Sequence, residues 1–118
     1  MTPSLQESIA GGSDTIVALG TSPGRSALAV IRLSGSKAGE IAARHIAPGP
    51  IGPRQSRLRT IREDSRILDH AVVTYYPAPH SFTGENFVEI STRGGNVVAA
   101  SVVAALIGSG AREALSGE

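Results

Sequence analysis

The sequence predicts an α/β (α+β) domain in which two or three helices pack on a mixed sheet. Short runs rich in β-branched residues, bounded by turn signals, recur along the chain and predict strands. Two segments, residues 38–45 and 97–107, carry apolar side chains at helical spacing. With 118 residues, the chain is long enough for one autonomous core. We therefore expect one domain at residues 14–118, after a polar, disordered leader at residues 1–13.

Composition excludes several function classes. The formal net charge is +1, so no strong overall positive potential that would attract nucleic acid or an anionic membrane is expected. There is no cysteine, which excludes disulfides, thiolate metal sites and a cysteine nucleophile. The first residues lack the basic flank and apolar core of a secretory signal, and no apolar run reaches the roughly 18 residues of a membrane span. We expect a cytoplasmic protein without membrane contact. No spacing indicates a metal site or a hydrolase triad, so no residue is assigned to catalysis or metal binding.

Two strands are predicted at the start of the domain, at residues 15–20 and 27–34. Pro23 and Gly24 suit the centre of a type II turn, which favours a hairpin or tight reversal between them. The second strand has apolar residues on both faces and is expected to be buried on both. It also contains Arg32, which there requires an anion, either a protein carboxylate or a ligand.

A helix is predicted after the second strand. Ser34 or Ser36 is expected to cap it, with Glu40 near the capping-box position. The proline-glycine-proline run at residues 48–50 ends the element. His45 falls near the apolar face and is interpreted as a cation at the helix C-terminus rather than as a catalytic residue.

A local cluster of arginines follows this helix. Two interpretations fit it: a sheet-edge strand with its charges in water, or a phosphate-binding patch, for example for RNA. The absence of interleaved aromatic residues favours the solvated edge. The arginines are Arg54, Arg57, Arg59, Arg62 and Arg66.

The last part of the chain alternates strands with one helix. Strands are predicted at residues 67–76 and 86–92, and the second contains Glu89, one charge inside an apolar run. The helix at residues 97–107 is apolar nearly all round, so it either packs on the sheet or lies in an oligomer interface. A further strand is expected to begin within residues 111–115.

Arg32 and Glu89 are the candidate site residues, and two interpretations are open. They form an ion pair inside the sheet, with little net stabilisation, or they face a ligand. An arginine fork matches a carboxylate or a planar heterocycle, and a carboxylate accepts two adjacent N–H donors from an amino-pyrimidine ring. The strand pattern alone favours the ion pair. The sequence contains no GxxxxGK[ST] motif, the pattern of a phosphate-binding P-loop, so no nucleotide site of that kind is expected.

Three stretches carry a family resemblance: DTIVALGTSPGRSALAVIRLSG, YYPAPHSFTGENFVEI, and RGGN with the apolar helix and GAREALSGE behind it. Together they resemble the N-terminal domain of the MnmE (TrmE) family of tRNA-modification GTPases over residues 14–118. The resemblance implies a fold similar to the tetrahydrofolate-binding module of aminomethyltransferases. It also implies 5-formyltetrahydrofolate as cofactor and a homodimer. It further implies tRNA and the MnmG (GidA) flavoprotein as partners, in C5 modification of the wobble uridine.

Within this resemblance, Arg32 and Glu89 match two folate contacts of the family. The chain departs from the family pattern at Arg93, where a histidine is usual, and at Asn96, where a proline is usual. This sequence lacks three features of the family. They are a lysine further along the chain that is a third folate contact, the helical domain, and the GTPase domain, which binds GTP, Mg and K. We therefore expect a fragment or truncated relative that does not hydrolyse GTP alone. Two alternatives are a dimerisation-only module that has lost folate binding, and a stand-alone folate-dependent one-carbon transferase-like domain.

Overall fold

The computed structural model describes residues 14–21, 29–49, 51–79, 81 and 84–114. Their fold is α+β, with a mixed seven-stranded sheet and two helices, as predicted. The helices are α1 (Ala38–Ala43) and α2 (Gly95–Gly108). The strands are β1 (Ile16–Thr21), β2 (Ala29–Ser34), β3 (Ile46–Ala47), β4 (Ser56–Glu63), β5 (Arg66–Tyr76), β6 (Phe87–Thr92) and β7 (Arg112–Glu113).

The strand order is β3-β4-β5-β6-β2-β1-β7. Neighbouring strands are antiparallel, except that β7 runs parallel to β1. The predicted reversal between the first two strands is confirmed, because β1 pairs antiparallel with β2 from Ile16 opposite Ser34 to Thr21 opposite Ala29. The predicted Pro23-Gly24 turn and the leader at residues 1–13 lie outside the described residues.

Both helices pack on one face of the sheet. Cross-strand neighbours such as Ile31 and Ile90 point into this layer and are buried. The helices contribute the other half of the core, with these buried residues: Ala38, Ile41 and Ala42 from α1, and Ala99, Val102, Ala105 and Leu106 from α2. The apolar burial supplies the main driving force for this two-layer packing.

The opposite face of the sheet, which we call the open face, carries no helix among the described residues. The expectation that β2 is buried on both faces is therefore wrong. Ala29, Ile31 and Leu33 are buried, whereas Val30 is half-buried and Arg32 is exposed. Ser34, on the same face as Arg32, is nevertheless buried, so the exposure of this face of β2 is centred on Arg32. Within the described residues, helices cover the sheet on one side only.

The start of α1 also differs from the prediction. Its N-cap residue is Lys37, which makes no side-chain cap hydrogen bond, so neither Ser34 nor Ser36 caps the helix. The backbone N–H of Lys37 donates instead to Oγ1 of Thr15, at 3.1 Å. Glu40 forms an ion pair with Arg44 at 3.2 Å rather than a capping box. A long-range contact has replaced the local cap.

His45 lies beyond the end of α1 and is buried, with 9% of its surface exposed. Its Nδ1 lies 2.8 Å from the carbonyl oxygen of Arg62, and its Nε2 lies 2.7 Å from Oγ of Ser109. An N–H at Nδ1 donates to the carbonyl oxygen, which can only accept, and Nε2 forms the second hydrogen bond with the serine hydroxyl. The imidazole thereby ties β4 to the end of α2, a structural role different from the predicted helix C-terminal cation.

The remaining element predictions are largely confirmed. Among the described strands, only β3 pairs with the outer side of β4, at Thr60 and Ile61, so the first half of β4 lies at the edge of the described sheet. The two-residue β3 itself was not predicted. α2 buries one side against the sheet, and β7 is the predicted last strand. No helix in the described part of the chain has the length and apolar character needed to cross a membrane.

Candidate functional site

Arg32 and Glu89 come together on the open face of the sheet. They lie directly opposite each other on the neighbouring strands β2 and β6. Nε of Arg32 donates to Oε2 of Glu89 at 3.2 Å, and the two side chains are 50% and 27% exposed. The predicted ion pair is confirmed, but it lies at the surface instead of inside the sheet. Such a pair contributes only about 0.2–1 kcal/mol.

The pair keeps most of its hydrogen-bonding capacity. Within the described residues, the contact to Glu89 uses only Nε of Arg32 and Oε2 of the carboxylate. The two terminal nitrogens of the guanidinium remain as donors, and Oε1 remains as an acceptor. Gly20 on β1 leaves room beside them, because a Cβ there would lie 3.5 Å from Nη1 of Arg32. The site therefore offers a donor fork and a carboxylate side by side.

A hydroxyl pair borders the site on β5 and β4. Thr74 lies opposite Glu89 in the sheet register, and Ser56 lies opposite Thr74. The two hydroxyl oxygens are 2.7 Å apart, and Thr74 is buried. These two hydroxyl groups are therefore polar neighbours of the Glu89 carboxylate on the open face.

An aromatic pair lies one row further along the same face. The rings of Tyr76 and Phe87 have centroids 5.9 Å apart and planes tilted by 51°. The guanidinium of Arg54 lies 5.6 Å from the centroid of the Tyr76 ring, within cation–π range. The open face thus combines an ion pair, hydroxyls and aromatic surface within a few residues of one another.

Sequence reasoning missed Thr74, Tyr76 and Phe87 as neighbours of the site. Their grouping by face was available, because period-2 alternation already places Tyr76 with Thr74 and Phe87 with Glu89. The strand order was not available, and only the order β5-β6-β2 brings these faces into one surface. The missing information was long-range pairing.

Several other predicted features have ordinary structural roles. Gly94 is the N-cap of α2 and Gly95 its first residue, a strand-to-helix turn. Ser34 donates to the carboxylate of Glu85 at 3.4 Å, and Ser81 donates to the Glu85 carbonyl oxygen. Other parts of the loop at residues 80–85, including His80, lie outside the described residues. Among the residues that are described, no group of three or more acidic or histidine side chains converges.

A groove of about 680 Å³ lies on the helix-covered side of the sheet, away from the ion pair. Its walls are mainly apolar and include Val73 and Tyr75 of β5, with Ile46 and Ile51. Glu40, at its border, is already paired with Arg44. Asn86, also in its wall, accepts from the Ala78 N–H and donates to the Ser36 carbonyl oxygen. Because these polar groups are already bonded within the protein, whereas the Arg32–Glu89 pair keeps donors and an acceptor, the open face is the stronger candidate site.

Comparison with known proteins places the chain in a family. Residues 15–118 match the model of the GTP-binding protein TrmE N-terminus. The chain is 42% identical over 107 residues to the tRNA modification GTPase MnmE of Wolinella succinogenes, covering 89% of this chain and 23% of that protein. It is 44% identical over 106 residues to the protein of the same name from Caulobacter vibrioides, covering 90% and 24%.

A third relative, the tRNA modification GTPase MnmE of Thermotoga maritima, is 40% identical over 106 residues, which cover 89% of this chain and 24% of that protein. The chain thus spans about a quarter of the length of the relatives it matches. The family model covers almost all of the sequence. The chain belongs to the TrmE N-terminal domain family, found at the N-terminus of tRNA modification GTPases.

Proposed function

We propose that this domain binds a reduced folate, 5-formyltetrahydrofolate, and forms a homodimer. The observation that carries the proposal is the exposed pair of Arg32 and Glu89, whose remaining donors and acceptor lie side by side on the open face. Membership of the TrmE N-terminal family supports it. When bound, the folate supplies the one-carbon unit, and the protein contributes binding and orientation.

The side chains of the site fit the chemistry of a folate. Each carboxylate oxygen has two lone pairs, so Glu89 can accept adjacent N–H groups of the amino-pyrimidine edge while Oε2 keeps its bond to Arg32. The terminal nitrogens of Arg32 suit the pterin carbonyl or a carboxylate of the glutamate tail. Tyr76, which is half-buried and packs against the buried ring of Phe87, offers aromatic surface to a planar ring. Gly20 keeps the space beside the guanidinium open.

At the scale of the whole protein, the domain acts in C5 modification of the wobble uridine of tRNA in the cytoplasm. Its partners in this proposal are the MnmG (GidA) flavoprotein and tRNA. GTP hydrolysis, with Mg²⁺ and K⁺, belongs to another part of the longer protein, since these 118 residues contain no GxxxxGK[ST] motif. The proposal thus assigns this domain cofactor binding and dimer formation.

Calorimetric titration with 5-formyltetrahydrofolate tests the proposal on the 118-residue chain. Wild type is expected to bind saturably. Arg32→Ala and Glu89→Gln are each expected to weaken binding at least about tenfold, equivalent to about 1.4 kcal/mol. Arg44→Ala is the matched control, because it removes an exposed arginine from an ion pair in the helix layer. Its affinity should equal that of wild type.

Sedimentation velocity on the same variants separates loss of the site from loss of the fold or dimer. Arg32→Ala and Glu89→Gln should sediment as wild type does, because their pair is exposed. A folded, dimeric wild type that binds no folate would contradict the proposal and favour a dimerisation-only module. Transfer of the one-carbon group by this chain alone would favour the stand-alone transferase-like alternative.

A further inference from the structure

Residues 54–62 carry a charge that the proposed folate site does not explain. They contain four arginines and no aspartate or glutamate. Within the described residues, no strand pairs with the outer side of β4 at residues 56–59, because β3 reaches only Thr60 and Ile61. Arg57 and Arg59 lie in this segment, Arg54 lies in the turn before β4, and Arg62 lies further along β4, where its N–H donates to the His45 carbonyl oxygen. We call these four arginines the basic edge: Arg54, Arg57, Arg59 and Arg62.

The two central arginines are arranged in a row. Nη1 of Arg57 donates to the carbonyl oxygen of Ser56 at 3.3 Å, and Nη1 of Arg59 donates to that of Leu58 at 3.1 Å. Alternate residues on a strand are spaced by about 6.6 Å. Both guanidinium groups therefore lie along the strand and bond the backbone through Nη1. Arg57 is exposed, whereas Arg59 is half-buried and its Nε is buried.

Two arginines of the basic edge also differ from arginines elsewhere in the chain, because no carboxylate in the described residues forms an ion pair with them. The ion pairs of the described residues join arginines elsewhere to nearby carboxylates, and none involves the side chain of Arg57 or Arg62. Those pairs are Arg32–Glu89, Arg44–Glu40, Arg66–Glu63 and Arg112–Asp14. Arg57 and Arg62 are both exposed. Their positive charge is thus not neutralised by a carboxylate in this part of the protein.

The residue type favours phosphate as the partner group. The chain has ten arginines but a single lysine, Lys37, and a guanidinium fork binds phosphate oxygens in a bidentate manner. Residues 54–66 contain no aromatic side chain for base stacking. Contacts from this edge would therefore follow the sugar–phosphate backbone rather than read bases.

We propose that the basic edge binds the phosphate backbone of RNA. The proposal rests on the proposed function, in which tRNA is the substrate, and adds the surface that contacts it. An anionic membrane is a weaker partner, because surface-binding proteins commonly use an amphipathic basic helix, whereas these arginines lie on and beside a strand. The alternative role is edge protection alone, in which the arginines only prevent strand-to-strand aggregation.

Salt dependence of binding to an unmodified tRNA transcript made in vitro separates these roles. In the 118-residue chain, Arg57→Gln should reduce the slope of log K against log salt by about 0.7–0.9, the value of one phosphate contact. Arg57→Gln with Arg59→Gln should reduce it about twice as much and weaken binding about tenfold at moderate salt. The corresponding double substitution to lysine should keep the slope. Lys37→Gln, an exposed cation outside the edge, is the control and should not change it.

Folate titration of the same variants makes the outcomes distinguishable. Folate binding should be unchanged by the substitutions at Arg57 and Arg59, which would support two separate sites. An unchanged salt slope in both glutamine variants, or no tRNA binding by wild type, would overturn the RNA proposal even if folate binds. Loss of binding to phosphatidylserine vesicles without a change in the tRNA slope would overturn it in favour of a membrane. A slope change without any folate binding would reject only the folate site.

Discussion

At the residue scale, Gly35 carries the tightest backbone constraint next to the site strand. It follows β2 with φ +147°, and a Cβ there would lie 2.5 Å from Oγ1 and 2.6 Å from Cα of Thr15. Its N–H donates to the carbonyl oxygen of Asn86 at 3.0 Å. Only glycine combines this conformation with such a close approach of two chain segments.

We therefore expect Gly35→Ala to lower the free energy of unfolding by about 2–4 kcal/mol, from backbone strain together with overpacking. The matched control is Gly49→Ala, at φ +64° with no atom within 4 Å of the added Cβ, which should cost only about 1–2 kcal/mol. Urea unfolding of the two variants measures both values. Equal losses would show that the contact with Thr15 adds nothing.

The two site residues could be identified from the sequence, but whether their surroundings are buried or exposed could not. A single charge inside each of two apolar strands selected Arg32 and Glu89, and these two residues do pair. Alternation specifies which side chains share a face, but it does not specify whether a second layer covers that face. Val30 is apolar and only half-buried, so the apolar residues beside Arg32 wrongly indicated burial.

At the element scale, His45 joins three parts of the fold that are distant in sequence. Its ring bonds the Arg62 carbonyl of β4 and the Ser109 hydroxyl at the end of α2. Arg44, next to it, donates to the Ser109 carbonyl oxygen at 3.2 Å. The end of α1 is therefore fixed by side chains that reach other elements.

His45→Ala is expected to lower the free energy of unfolding by about 1–3 kcal/mol, because it leaves buried polar partners without their hydrogen bonds. The matched control is His70→Ala, since His70 is exposed and its side chain hydrogen-bonds the Thr60 hydroxyl at the surface, at 3.2 Å; its effect should stay within about 0.5 kcal/mol. Denaturant unfolding of both variants provides the comparison. A similar small loss in each would mean that the His45 contacts do not stabilise the fold.

The long elements were predictable, and their ends were not. Strong periodicity located α2 and the principal strands to within about two residues, whereas the cap of α1 was predicted wrongly. That helix has six residues, and the backbone N–H of its N-cap residue, Lys37, donates to Oγ1 of Thr15, more than twenty residues away in sequence. Strand β3 has only two residues, too few for a periodic pattern to indicate.

At the scale of the whole molecule, the two faces of the sheet have different chemistry. The helix-covered face provides the core and an apolar groove, while the open face carries the Arg32–Glu89 pair and the aromatic pair. The basic edge lies at β4, near one end of the strand order. Cofactor binding at Arg32 and Glu89 and RNA contact at Arg57 and Arg59 would therefore use different parts of one small domain, while Arg54 of the basic edge also contacts the Tyr76 ring on the open face.

Methyl NMR of the 118-residue chain, titrated with 5-formyltetrahydrofolate, tests the location of the cofactor site most directly. Val30 and Val72 report on the open face, and Ile46 and Ile51 report on the groove. We expect chemical shift changes at the two valines that saturate with added folate, while the two isoleucines stay unperturbed. Saturating shifts confined to the isoleucines, with the valines unchanged, would place the ligand in the groove and contradict the assignment of Arg32 and Glu89.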